Sequence, residues 1–281
     1  ADPWNFGQVA AVATTAEGRI LVLHRGAHPV RMFDPDGRFV RSWGDGLFSE
    51  GKVAAIAPAD RRAGESGYAA AYGTAGCDSC GAHSVRVDPD GNIWVVDAPG
   101  HVVFKMDPDG AVILELGTKG QSGAGRDTFN LPTDVAFAPT GDLYVSDGYG
   151  NARIVKYTRD GEYLLEWGTR GTGPGELGLP HNLVVDRAGR VYVTDRDNQR
   201  VQVFSAAGEF LSEWADIGAN SALFMTMSEN QQIWTGGTLR NLAGEAVATL
   251  PGGNGGHGMT VSGTGEVFVA QLSGRVQKFV R

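Results

Sequence analysis

The sequence predicts an all-β, six-bladed β-propeller, and three observations carry that expectation: a repeating unit, the hairpin chemistry of its turns, and the absence of helical periodicity. HSVRVDPDGNIWVVD (83–97), TDVAFAPTGDLYVSD (133–147), HNLVVDRAGRVYVTD (181–195) and HGMTVSGTGEVFVAQ (257–271) share an apolar run, a turn glycine and a second run rich in valine, isoleucine and aromatics. Weaker copies at AVATTAEGRILVLH (11–24) and LFMTMSENQQIWTGG (223–237) bring the units to six. Short β-branched runs bounded by turn residues are hairpin signals, and no 3.6-residue apolar repeat competes with them.

Each unit continues into a second half of the same kind, as in VVFKMDPDGAVILELG, RIVKYTRDGEYLLEWG and RVQVFSAAGEFLSEW. The unit is therefore a four-stranded antiparallel meander. One such sheet cannot bury both its faces alone and must stack on neighbours, which at this period means propeller blades. The turn positions are Gly18, Gly91, Gly141, Gly189, Gln231 and Gly265. All but the first interval fit one blade; the first must hold an insertion, at about residues 46–82. The last unit has three strands before Arg281, so residues 1–7 are expected to supply its fourth and close the ring. Continuous repeats make 1–281 a single domain.

Composition sets limits. The 42 glycines are about twice the usual share and suit a chain full of tight turns. A net charge of -8 without a basic stripe argues against a nucleic-acid partner, whose phosphates are held by clustered Lys and Arg. No apolar stretch approaches the roughly 20 residues that span a bilayer, so no membrane partner is expected. A monomer in a secreted or periplasmic setting is the expectation. Cys77 and Cys80 allow three readings: a local disulfide in an exported protein, a free or redox-active pair, or a metal site with His83.

His83, His181 and His257 each stand eight residues before a turn glycine, in every second unit. Alternate blades of a six-bladed ring are about 120° apart, so the three imidazoles converge on the axis. Three neutral imidazoles with an open position are the ligand pattern of catalytic zinc or a similar divalent transition metal. The other reading is that this position only tolerates a polar residue, as Thr133 does in the third unit.

Residues just before a first strand and just after a second share one rim. That places His24-Arg25-Gly26, Asp97, Asp147-Gly148-Tyr149 and Asp195-Arg196-Asp197 on the histidine face, with the insertion and its Tyr68 and Tyr72 above them. Recurrence of Asp97, Asp147 and Asp195 at one repeat position favours turn capping through backbone N–H groups. Arg25 reads either as a substrate arginine or as a surface ion-pair partner, and Tyr149 as a site residue or as packing at a blade junction.

HRG (24–26), DGYxNxRIV (147–155) and LPH (179–181) together resemble the peptidyl-α-hydroxyglycine α-amidating lyases, six-bladed propellers of the NHL-repeat type. The resemblance implies a zinc-dependent lyase that splits an α-hydroxyglycine (carbinolamide) substrate into an amide and glyoxylate. It implies zinc on His83, His181 and His257, a substrate carboxylate on Arg25, and Tyr149, as phenolate, in the role of base. The implied partner is a small-molecule or peptide substrate with a C-terminal carboxylate. Where that family has a calcium-binding aspartate and a methionine, this chain has Gly258 and Gly255, which makes structural calcium doubtful, and Gly150 stands where the family has a disulfide cysteine. The glycines suggest a wider mouth. The same three histidines also suit a metal-dependent hydrolase, and an NHL propeller also serves as a non-catalytic binding platform.

Overall fold

Every repeat folds as an antiparallel meander whose successive strands hydrogen-bond in chain order. The computed structural model describes residues 2–60, 67–71, 79–215, 217, 223–225, 230–252 and 255–280. Blade 1 consists of Val9–Thr14, Ile20–His24, Val30–Phe33 and Phe39–Trp43; blade 2 of Ala82–Val87, Ile93–Asp97, Val102–Met106 and Val112–Gly117. Blade 3 consists of Asp134–Phe137, Leu143–Asp147, Arg153–Tyr157 and Tyr163–Trp167, and blade 4 of Pro180–Val185, Val191–Asp195, Arg200–Phe204 and Phe210–Trp214. Blade 5 has the short strands Leu223–Met225, Ile233–Thr235, Thr238–Arg240 and Ala246–Thr249, and blade 6 has Gly258–Val261, Val267–Gln271 and Arg275–Phe279.

The second strands read as continuous apolar runs because each sheet lies between two others and has no solvent face. Ile93–Asp97, Leu143–Asp147 and Val191–Asp195 are buried along their whole length. Outermost strands such as Phe39–Trp43 are exposed to half-buried. The core is accordingly divided into wedges between neighbouring sheets. Leu21, Leu23 and Met32 meet Val85, Ile93 and Phe104 between blades 1 and 2, and Val12, Val22 and Phe33 meet Phe268 and Ala270 between blades 1 and 6.

That last wedge closes the ring, and it does so without the expected N-terminal strand. Blade 6 has three strands, and residues 2–8 run as turns and bends. Blade 1 captures them instead. The Trp4 ring lies 4.5 Å from that of Phe33, and Arg31 Nη1 donates to the carbonyls of Pro3 (2.6 Å) and Asn5 (3.1 Å). These contacts, rather than a ladder on blade 6, fix the path of the segment.

The recurring aspartates are turn anchors, in keeping with their repetition. Asp195 accepts from the backbone N–H groups of Gly178 and Leu179 (2.8 and 2.9 Å), from Asn198 Nδ2 (2.7 Å) and from Arg200 Nε (3.1 Å). Asp147 repeats the pattern with Asn130 N, Asn151 Nδ2 and Arg153 Nε. Both carboxylates are fully buried. Asp195→Ala is expected to cost about 3 kcal/mol, because it strands two backbone donors and leaves the buried Arg200 with one carboxylate fewer. Urea unfolding checks this, and an unchanged midpoint would rule out the anchoring role.

The insertion contains an antiparallel hairpin of Lys52–Ala55 and Tyr68–Ala71. Val53, Tyr68 and Ala70 of this hairpin pack against Leu131, Tyr149 and Leu179. Cys80 is buried. Tyr72 and Cys77, and with Cys77 the expected disulfide, lie outside the described residues.

Candidate metal centre

Two of the three histidines are aimed by β-bulges. The first-to-second strand register slips between Ala82 and Ser84 in blade 2 and between Pro180 and Asn182 in blade 4, leaving His83 and His181 as the extra residues. Blade 1 slips in the same place, between Val9 and Ala11. A bulged residue is freed from the alternation of the strand and can be turned toward the axis. His257 stands just before the first strand of blade 6, its N–H donating to the Ala270 carbonyl of the second strand (2.9 Å).

The ligand atoms of His83, His181 and His257 all lie within 4.8 Å of one another, and among the described residues no other group of three such side chains converges. Their tautomers follow from their partners. His83 Nδ1–H donates to the Thr133 carbonyl (2.6 Å) and His257 Nδ1–H to the Ala10 carbonyl (2.7 Å). His181 Nδ1 faces Asn182 Oδ1 at 2.9 Å. The Asn182 amide is oriented by donation of its Nδ2 to Asp134 (2.8 Å), so the proton of that contact is also on the histidine. All three Nε2 atoms are therefore bare lone pairs pointing inward, the arrangement that second-shell acceptors impose on metal-binding imidazoles.

Burial is the largest cause that holds these imidazoles neutral. It pushes His83 and His181 well below the ordinary value, helped by the neighbouring imidazoles, and His257 to about 4, helped by Arg25. Neutral imidazole is the ligating form.

The Tyr149 hydroxyl closes the cluster, 3.2 Å from His83 Nε2 and 3.1 Å from His181 Nε2. Its single proton can serve only one of these lone pairs. The other faces oxygen with nothing between them, in a site where His181 and His83 are 0% and 2% exposed. A cation resolves that conflict, and the donor set fits one. Tetrahedral zinc needs N···N separations of roughly 3.3 Å, given Zn–N bonds of about 2.0–2.1 Å, and the imidazoles, within 4.8 Å of one another, have only to draw inward to reach them. Deeper in the channel, a cavity of about 10 Å³ bordered by Ala11, Val85 and Met259 has room for about one water.

Two arginines flank the imidazoles. Arg25 Nε donates to the Ala82 carbonyl (3.1 Å) and Nη1 to Gln8 Oε1 (3.0 Å), and its charge acts on all three histidines. Arg196 Nη1 reaches the Tyr149 hydroxyl at 3.5 Å, and its guanidinium carbon lies 5.4 Å from the Tyr149 ring centre. Burial raises the Tyr149 hydroxyl above its ordinary value, with Arg196 and Arg25 pulling the other way. The phenolate is therefore not the resting form favoured by these surroundings alone.

The glycines around His257 do not widen the mouth. A Cβ on Gly255 would meet the Gly236 backbone at 2.3 Å, one on Gly256 the Ala270 carbonyl oxygen at 2.2 Å, and one on Gly258 the Ala11 Cα at 3.0 Å. Neighbouring backbone already fills the space that side chains would take.

Comparison with known proteins bears on this geometry. The NHL repeat model matches residues 129–157 and 177–204. Peptidyl-alpha-hydroxyglycine alpha-amidating lyase 1 of Drosophila melanogaster is 41% identical over 145 residues, covering 47% of this chain and 27% of its own. A probable lyase of the same name from Caenorhabditis elegans is 31% identical over 208 residues, covering 72% of this chain and 57% of its own. The chain belongs to the NHL-repeat propellers of the peptidyl-α-hydroxyglycine α-amidating lyase-like family.

The peptidylglycine alpha-amidating monooxygenase of Rattus norvegicus is 35% identical over 217 residues, 74% of this chain and 22% of its own. The matched part thus spans about a fifth of the rat protein. Among solved structures, a streptogramin B lyase superposes with a TM-score of 0.60 at 15% identity, over 99% of this chain and 84% of its own. That likeness is one of fold.

Of the residues expected at the site, His83, His181, His257, Tyr149 and Arg25 share this end of the channel. Sequence reasoning assigned no part to Arg196, Asn182 or Asp134. A signal for Arg196 was present: Arg25 and Arg196 directly follow His24 and Asp195, which pair with the equivalent residues Val9 and Pro180. For Asn182 there was none, since its value lies in the orientation of its amide. Asn182→Ala is expected to weaken metal binding by about 10–100-fold, measured by competition with a chelator; an unchanged affinity would remove Asn182 from the site.

Proposed function

We propose that this chain is a metal-dependent lyase, with zinc as the expected metal, that cleaves the C–N bond of an α-hydroxyglycine substrate to an amide and glyoxylate. The observation that supports this most is the convergence of three bare Nε2 lone pairs, two of them in contact with the Tyr149 hydroxyl. His83, His181 and His257 would hold the metal. When bound, it supplies Lewis-acid polarisation of the substrate hydroxyl.

The remaining work falls to the chain's own groups. Tyr149, whose own proton would pass to solvent when the cation binds, accepts the substrate hydroxyl proton as phenolate, and Arg196, against its oxygen and ring, stabilises that phenolate before the transfer. Arg25 holds the substrate carboxylate and so fixes which carbon faces the imidazoles. As the carbonyl of glyoxylate forms, the C–N electron pair leaves on nitrogen. Tyr149 returns the proton there, which completes the amide and restores the enzyme. Burial keeps water from competing for that proton.

The test is direct. Zinc-loaded protein incubated with α-hydroxyhippurate is expected to release glyoxylate and benzamide in equal amounts. Full metal loading without glyoxylate would overturn the reading.

A further inference from the structure

The inserted hairpin contributes a side chain to this site. Tyr68 accepts from Arg196 Nη2 at 2.7 Å and donates to Asp197 Oδ1 at 3.4 Å. Its ring meets the Tyr149 ring edge-on, with centres 5.0 Å apart, and Arg196 lies 5.3 Å from its centre. The Arg196 guanidinium is thus in contact with two tyrosines, only one of which belongs to a blade. Val53 and Ala70 anchor the hairpin against Leu131 and Leu179, so the rim of blades 3 and 4 is covered on the Tyr149 side.

That cover has a consequence for the substrate. The reacting carbon carries a carboxylate, a hydroxyl and the amide nitrogen. With the carboxylate drawn to Arg25 on blade 1 and the hydroxyl to the imidazoles and Tyr149, the amide arm leaves away from blade 1, toward the quadrant the hairpin occupies. We propose that Tyr68 determines substrate size: its ring is the wall met by the amide arm, and it restricts the enzyme to short N-acyl groups at the expense of extended peptides. This rests on the lyase reading above. The wall depends on the ring, whereas the hydroxyl positions Arg196, so the two parts of Tyr68 make separable contributions.

The experiment compares kcat/KM for α-hydroxyhippurate and for an α-hydroxyglycine-extended pentapeptide in the zinc-loaded full chain. Wild type is expected to prefer the short substrate. Tyr68→Ala should move the ratio toward the peptide by about tenfold or more, the scale at which one pocket contact discriminates, mainly through a lower KM for the peptide. Tyr68→Phe should keep the wild-type ratio and lower kcat for both substrates alike. Tyr68→Trp should move the ratio the other way, and it decides the matter if the alanine variant does not fold. A ratio unchanged in Tyr68→Ala, or in Tyr68→Trp where that variant decides, overturns the proposal and leaves the lyase reading standing. Absence of glyoxylate from both substrates with wild type overturns both readings.

Discussion

His181→Ala is expected to strip the metal from the purified protein, from close to one equivalent to below about a tenth, and to lower glyoxylate release by on the order of 10³-fold or more. The size of the effect follows from how the site is built. His181 is fully buried, so its replacement leaves a cavity with no substitute donor. The two remaining imidazoles fall short of the three protein ligands that catalytic sites use. Elemental analysis after dialysis reads the first quantity and a glyoxylate assay the second. His101 is a suitable control, since its Nδ1 accepts from Leu131 N at 3.1 Å, a bond within the fold. Retention of metal by His181→Ala at the wild-type level would remove the three-histidine site.

Tyr149→Phe is expected to keep its metal and lose about 10²–10⁴-fold in kcat, the range that positioned acid–base groups contribute. Removing the hydroxyl relieves the lone-pair conflict with the imidazoles, so metal affinity should hold or rise while turnover falls. That opposite movement separates a proton-transfer role from a structural one. The ring packs with Leu131 and Leu179, and phenylalanine keeps that packing. A kcat within a few-fold of wild type would exclude Tyr149 as the proton acceptor and turn attention to water.

Much of the fold was legible because a propeller repeats itself in the chain. The turn glycines and the apolar runs recur, and each recurrence reports the same local physics. The position of the histidines in alternate units carried the metal expectation. The anchoring role of Asp147 and Asp195 was readable for the same reason: a residue that repeats in blade after blade serves the blade. Closure of the ring was misread, since the count of strands in the last unit says that one is missing without saying where the N-terminal residues go. Arg31 and Phe33 decide that, through contacts with Pro3, Asn5 and Trp4. The glycines near His257 were misread as open space for a related reason, because a missing side chain in sequence does not reveal which backbone has moved in.

The sequence by itself determined the blade count, the face on which the site lies and the residue types assembled there, since these depend on periodicity and on strand direction. Tertiary structure alone decided how those residues are tuned. The protons on Nδ1 of His83 and His257 are set by the Thr133 and Ala10 carbonyls, each from a neighbouring blade. The guanidinium behind Tyr149 comes from blade 4 and the ring beside it from an insertion between blades 1 and 2. Hydrogen-bond direction and burial are properties of groups distant in the chain and adjacent in space, and a linear pattern carries no record of them.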